Sequence, residues 1–235
     1  MRRVLGCALV VLTICATRVR AQYYEEKEYS PSEARYISLG AVDVKFSPRY
    51  SNTQPESLMI RFKRTMPVVS FKHGGAEVLF GYTTYPLLGG SRSAIYFGGK
   101  FESEVPIVGR KPGALLFPLL VSADFTKAES AGPSRDDFNL ASIGIGGGLK
   151  FRYIGSSIDF SIGVEEVAQY SSEGFGVGSG FSASTLGDAV MLLKDISLLE
   201  GIAIGYRFRL QTWSMNETRF NYKSTLHGPY LGVMF

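Results

Sequence analysis

The residues best placed to do electrostatic work are charges at alternate positions. Lys150 and Arg152 stand two apart, as do Arg207 and Arg209, while Asp124, Asp159, Glu165 and Glu102 hold comparable positions in other segments. Residues two apart on an extended strand share a face. Turned into one narrow interior, such charges pair and lock it, because an unpaired buried charge is expensive. Left partly hydrated, they line a small ion-selective path. Both readings need an architecture that encloses these residues.

Other chemistry is sparse. Histidine occurs only at His73 and His227, the first in a Lys72-His73-Gly74-Gly75 turn and the second near the end of the chain. The run Gly144-Ile145-Gly146-Gly147-Gly148 invites a nucleotide-loop reading, but that loop must open a helix, and Leu149 to Tyr153 continue a strand-like alternation. Inward glycine that leaves room for side chains from opposite strands explains the run better. Cys7 and Cys15 both fall in the first 21 residues. There Arg2 and Arg3 precede an apolar run, Val4 to Ala16, and Val19-Arg20-Ala21 offers a cleavage point: the layout of a secretory signal peptide. Cleavage after Ala21 removes every thiol, and with it disulfides and Cys-based metal sites. Four of the 25 basic residues (Arg2, Arg3, Arg18, Arg20) leave with the signal and none of the 21 acids does, so the remainder is charge-balanced. The basic pI then gives no support to nucleic acid as a partner. The sequence supplies no catalytic set, cofactor motif or metal site. Glu25-Glu26-Lys27-Glu28 reads as a solvated leader, and Asn216-Glu217-Thr218 matters as a glycosylation triplet only in a eukaryotic secretory route.

The elements that must position the charges are strands. No later stretch reaches the roughly 18 apolar residues of a transmembrane helix. Ile202, Ile204, Tyr206, Phe208 and Leu210 alternate with Ala203, Gly205, Arg207, Arg209 and Gln211, and Ile158 to Glu165 does the same. Ten candidate strands follow, near 35–46, 58–72, 76–85, 94–102, 115–127, 138–153, 157–169, 175–186, 201–213 and 226–235, with eight or twelve left open. An even count suits a closed antiparallel barrel. With the N-terminus inside, short turns at 73–75 and 154–156 fall on one side, and longer loops at 47–57, 128–137 and 214–225 on the other. Segment 187–200 breaks that rule and reads as a short helix, since Ala189, Leu192, Leu193 and Ile196 share a helical face. Pro67 and Pro118 interrupt the second and fifth strands, a bulge or a break is expected near Arg64, and the first strand's apolar positions change face near Gly40.

Alternation alone does not say whether the apolar face points into a soluble barrel or out into lipid. Glycine and charge share the polar faces, as in Gly144, Gly146, Gly148, Lys150 and Arg152. Aromatics stand near strand ends (Tyr85, Tyr153, Tyr170, Trp213, Tyr230), where membrane barrels place interfacial girdles. Strands of about 10–12 residues, tilted near 45°, span the roughly 25 Å of an apolar membrane band.

The ending His227-Gly228-Pro229-Tyr230-Leu231-Gly232-Val233-Met234-Phe235 resembles the terminal strand of bacterial outer-membrane β-barrel proteins. In that family a final Phe and the alternating apolar residues before it are the signal read by the barrel-assembly machinery, and Phe235, Val233 and Leu231 match it by position. The resemblance extends to the signal peptide and the general alternation. It implies the bacterial outer membrane as location, with its lipid and the assembly machinery as partners, and no substrate. The lipocalin pattern, the soluble alternative, needs Gly-x-Trp on its first strand, whereas the single Trp213 follows Gln211-Thr212. Barrel hydrolases are the enzymatic alternative. Omptin-type proteases pair Asp with His at the outer rim, and lipid A deacylases use His-x-Ser. Here Asp136-Asp137 and His227 offer part of the first set, but Thr225 precedes His227 by two and Gly228-Pro229 follow it.

The expected organisation is a signal peptide over 1–21, a periplasmic leader over 22–34, and a single antiparallel transmembrane β-barrel over 35–235. Asp124, Lys150, Arg152, Asp159, Glu165, Arg207 and Arg209 are its candidate lumen-lining charges. The expected role is structural or binding, with a narrow pore left open.

Overall fold

The computed structural model describes residues 34–110, 112–133, 136–173, 177–196 and 199–235. The signal-peptide reading and all of the leader except Ala34 fall outside them. Ten strands follow one another: β1 Arg35–Pro48, β2 Phe62–His73, β3 Ala76–Leu87, β4 Gly90–Arg110, β5 Gly113–Ala128, β6 Phe138–Ile154, β7 Ile158–Glu173, β8 Val177–Ile196, β9 Leu199–Met215 and β10 Tyr222–Met234. Each pairs antiparallel with its neighbours in sequence, and β1 closes the ring on β10, from Tyr36 opposite Met234 to Pro48 opposite Tyr222. Closure leaves no strand edge unpaired. The fold is a ten-stranded antiparallel barrel.

One parity runs through each strand. On β1, Tyr36, Ser38, Val42, Val44 and Phe46 are buried while Ile37 and Leu39 are exposed; on β10, Tyr222, Leu226, Tyr230 and Met234 are buried while Leu231 and Val233 are exposed. The exposed set continues around the wall through Phe71, Phe80, Phe97, Val121, Ile145, Phe151, Ile162 and Phe208. The exterior is therefore an apolar belt, as a barrel surrounded by lipid requires, and a soluble carrier would invert it. The apolar positions of β1 do change face at Gly40, while the strand's inward–outward parity runs on unbroken. Below it β1 is apolar outside and polar inside; above it Val42, Val44 and Phe46 point inward and Asp43 and Lys45 outward.

Two local expectations are corrected. Segment 187–200 forms no helix: β8 runs to Ile196 and β9 starts at Leu199. Val190 and Leu192 pack inward with Tyr36 and Tyr230 while Ala189 and Leu193 lie on the opposite face, so apolar residues on both faces imitate a helical stripe. Of the bulge or break expected near Arg64, the bulge is absent, since β1–β2 pairing runs unbroken from Arg35–His73 to Phe46–Phe62, and the break lies on the β3 side, where β2 is unpaired before Val68. Register shifts occur instead at Pro106/Val108 and at Ser172/Glu173. The prolines do interrupt ladders. Pairing of β5 with β6 skips Phe117 and Pro118, and pairing of β2 with β3 starts only at Val68, just past Pro67. There the Thr83 hydroxyl donates to the Thr65 carbonyl at 3.2 Å and bridges the parted strands.

Candidate functional site

The lumen is filled in layers, described from the end with short turns (the inner end) outward. The parity above turns Lys100, Glu102 and Glu104 of β4, Lys150 and Arg152 of β6 and Glu165 of β7 into one enclosed cluster. Lys100 Nζ lies 3.1 Å from Glu165 and 3.2 Å from Glu102. Lys150 Nζ contacts Glu102 and lies 3.1 Å from Glu104, whose Oε1 also accepts from Arg152 at 2.6 Å. Three cations meet three carboxylates, and each side chain is at least four-fifths buried. Beside them Arg207 donates to Glu77 at 2.6 Å and lies over the Tyr230 ring, centroid 4.7 Å away. The Tyr230 hydroxyl donates to Asp188 at 3.1 Å.

The next layer is a polar waist. Arg209 grips Asp124 with both guanidinium nitrogens, at 2.8 and 2.5 Å, and also donates to the Tyr96 hydroxyl. Gln169 donates to Asp124 Oδ2 at 2.5 Å, and its own carbonyl accepts from Ser184 at 2.8 Å and Gln211 at 3.1 Å. Hydroxyls continue around the wall, Ser182 to Ser171 at 2.8 Å and Ser171 to Ser142 at 2.7 Å. Bidentate, charge-assisted bonds of this kind are the strong ones, and burial is tolerable because nearly every group is satisfied.

Above the waist the lumen becomes apolar. Phe46 stacks on Tyr222 at 4.9 Å, Phe62 on Tyr85 at 4.1 Å, and Phe138 meets Trp213 edge-on at 4.9 Å. Ile60, from the β1–β2 loop, is buried among them, and its N–H donates to the Tyr222 hydroxyl at 3.1 Å. The cavity between this layer and Tyr96 holds about 20 Å³, room for roughly one water. Loops then tie across the mouth: Asn52 donates to the Arg219 carbonyl at 2.8 Å, and Arg219 lies 3.6 Å from Asp136. At the same rim the Ser93 N–H donates to Glu129 at 2.8 Å and holds that carboxyl below the usual range.

Of the seven charges singled out in the sequence, six sit in these layers: Asp124 with Arg209, and Lys150, Arg152, Glu165 and Arg207 in the clusters below. Asp159 stands apart near the inner end, 2.6 Å from Lys194. Sequence reasoning missed Lys100, Glu104, Glu77 and Asp188. A signal existed for two of them, because Lys100, Glu102 and Glu104 alternate; the fourth candidate strand contained Lys100 but, stopping at 102, left out Glu104, whereas β4 runs to Arg110. The aromatic girdle needs correction. Tyr85 and Trp213 are 1% exposed and Tyr230 5%, all pointing inward, and only Tyr153 and Tyr170 of the five face out. The polyglycine face of β6 also has a different cause. A Cβ at Gly144, Gly146 or Gly148 would meet the β7 backbone, at 2.3, 2.3 and 2.0 Å from the carbonyls of Ala168, Glu166 and Val164. These glycines let neighbouring backbones approach, instead of making space for opposite side chains.

The histidines lie elsewhere. His73 is exposed at the end of β2. His227 faces outward on β10 with its Nδ1 2.8 Å from the Tyr206 hydroxyl, whereas Asp137 accepts the Ser130 N–H and Asp136 pairs with Arg219. The rim pair and His227 thus have separate partners.

No protein-family model and no curated protein matches the chain. Among solved structures it is similar to the outer membrane protease OmpT of Escherichia coli, with a TM-score of 0.38 and 10% identity over 90% of this chain and 99% of that one. It is also similar to Ail, the attachment invasion locus protein of Yersinia pestis, with a TM-score of 0.30 and 11% identity over 87% and 100%. Neisserial surface protein A gives a TM-score of 0.30 and 12% identity over 86% and 97%. These neighbours are small bacterial outer-membrane β-barrel proteins.

Proposed function

We propose that this protein is a closed barrel of a bacterial outer membrane whose wall and outer loops, not its lumen, carry a structural or binding role. The lumen supports this reading most directly. A paired-charge layer, a hydrogen-bonded waist and an aromatic layer lie in series, so an ion crossing the barrel would have to break all three. The apolar outward belt supports the membrane, with its lipid as the surrounding partner. Leu231, Val233 and Phe235 stand exposed on the outward parity of the closing strand, a placement that suits recognition by the assembly machinery. No catalytic role, cofactor or nucleic acid enters this reading.

The test is conductance. Protein inserted into a planar bilayer should pass no steady current, and its unboiled band in SDS should run ahead of the boiled one. Discrete open steps in the unmodified protein would replace the sealed barrel with the narrow pore. Identical mobility, with the protein in the soluble fraction, would remove the membrane reading altogether.

A further inference from the structure

The wall formed by β10, β1 and β2 differs from the rest of the belt. Outward residues are apolar from Phe235 to Pro229 on β10 and from Ile37 to Ala41 on β1, and then the same face turns polar. First come Asp43, Thr65 and His227, then Lys45, Lys63 and Thr225, then Arg61 and Lys223. Six residues at about 3.3 Å each, tilted near 45°, give an apolar depth of only about 14 Å here, against roughly 25 Å for a full belt. Elsewhere the outward run is longer: on β6 it extends from Tyr153 to Ile143.

Cations gather on this short side. Lys45 is directly opposite Lys63 across the β1–β2 ladder, and Lys223 is opposite Ser47, one diagonal from Lys45. Lys45, Lys63, Lys223 and Arg61 are all exposed, and among the described residues none of their side chains has a hydrogen bond or ion pair. The nearby carboxylate, Asp43, accepts the Thr65 hydroxyl at 2.8 Å. Like charges directly opposite on adjacent strands destabilise the sheet, a cost that a bound anion removes. Lysine stems lie along apolar surface while their heads reach for polar surroundings, which places these ammonium groups at the boundary of lipid and headgroup.

We propose that the outer half of the β10–β1–β2 exterior binds the phosphate-bearing headgroup of an outer-leaflet lipid, held by Lys45, Lys63, Lys223 and Arg61. The site rests on the membrane reading above. Its chemistry is phosphate recognition, and the lipid is its source: the acyl chains lie against Leu39, Val69 and Leu231 below, so a free phosphate captures only part of the interaction.

The experiment uses the full-length chain refolded in phosphatidylcholine bicelles, titrated with bisphosphorylated lipid A, and the variant Lys45→Gln/Lys63→Gln/Lys223→Gln. A faster-running unboiled band first establishes that each protein is a folded barrel; its absence in the unmodified protein overturns the membrane reading and this site with it. Each lysine removed should weaken binding about fivefold, so the triple variant loses roughly a hundredfold. Lys127→Gln, on the outward face of β5, should change affinity little, because Lys127 already lies 3.6 Å from Glu129. Folded protein that binds lipid A no better than phosphatidylcholine, or a folded triple variant with unchanged affinity, overturns the lipid site and leaves the barrel standing. Full displacement of the lipid by millimolar inorganic phosphate would also overturn it, by showing that the patch takes the ion alone.

Discussion

Arg209 and Asp124 meet fork to fork across the barrel interior, from β9 and β5, with nitrogen–oxygen distances of 2.8 and 2.5 Å. The two strands are not neighbours in the ring, so the pair is a cross-brace. Asp124→Asn leaves a buried guanidinium without its counter-charge and should lower stability by about 3–5 kcal/mol. Arg209→Met combined with Asp124→Leu should be near neutral, since well-packed apolar residues commonly replace a buried ion pair without loss. Thermal loss of the fast-migrating band measures both. Equal destabilisation by the single and double variants would show that the brace matters through shape and not through charge.

The aromatic layer makes a separate prediction. Trp213 packs edge-on against Phe138 and lies 6.1 Å from the Phe46 ring, fully enclosed. Trp213→Ala should cost about 3–5 kcal/mol through lost burial and a residual cavity. It should still pass no current, because the waist and the charge layer below remain closed. Current through this single variant would locate the whole seal in the aromatic layer.

The contrast between those layers also bounds what the sequence could reveal. Strand number and alternation were legible because the two faces of β6, β7 and β9 differ strongly in polarity. The even count suited a closed ring, and the pairing of β1 with β10 closes it. The aromatic layer was not legible, because Phe46, Phe62, Tyr85 and Phe138 come from strands far apart in sequence, and their period-two spacing is the same whether the face points in or out. Above Gly40 the chemistry of the two faces inverts while the parity persists, so Val42, Val44 and Phe46 look lipid-facing by composition and are interior. Charge partners were half legible. Arg209 with Asp124 and Lys150 with Glu102 fall within the sets considered, but Arg207 meets Glu77, on a strand whose inward charge sits beside a turn. Pairing across a lumen depends on stagger, which alternation does not encode.

Backbone approach at β6 and β7 can be tested with one methyl group. A Cβ at Gly148 would lie 2.0 Å from the Val164 carbonyl oxygen and 2.7 Å from the Glu165 Cα, both backbone atoms that cannot swing aside. At Gly187 the nearest atom is the Phe208 Cβ, at 3.7 Å. Gly148→Ala should therefore cost about 1–3 kcal/mol of overpacking strain, and Gly187→Ala little. Urea midpoints of the refolded variants would rank them, and equal midpoints would mean that the strands separate at no cost.

His227 provides a check on the enzymatic alternative. Its ring hydrogen-bonds the Tyr206 hydroxyl on the barrel exterior, and Asp43 stands opposite it across β1–β10. A surface hydrogen bond of this kind contributes about 1 kcal/mol. His227→Ala should lower the thermal midpoint slightly and leave lipid and peptide turnover at the level of the unmodified protein. Turnover that is present and vanishes in this variant would instead make the outer wall a hydrolytic site.

On β7 the belt carries a residue that opposes its own environment. Glu166 lies on the outward parity near the middle of β7, between Val164 and Ala168, and accepts a hydrogen bond from Thr185 of β8 at 2.8 Å. A carboxylate there faces lipid on a wall that is otherwise apolar, and a single neutral hydrogen bond does not replace its hydration. Glu166→Leu should thus raise stability by roughly 1–2 kcal/mol, less than the gain from removing a cation at the same depth. The same substitution should leave the lumen untouched, since the inward neighbours Glu165 and Val167 keep their packing. A loss of stability on Glu166→Leu would mean that this face does not meet lipid, and that another polypeptide covers the Glu166–Thr185 pair in the membrane.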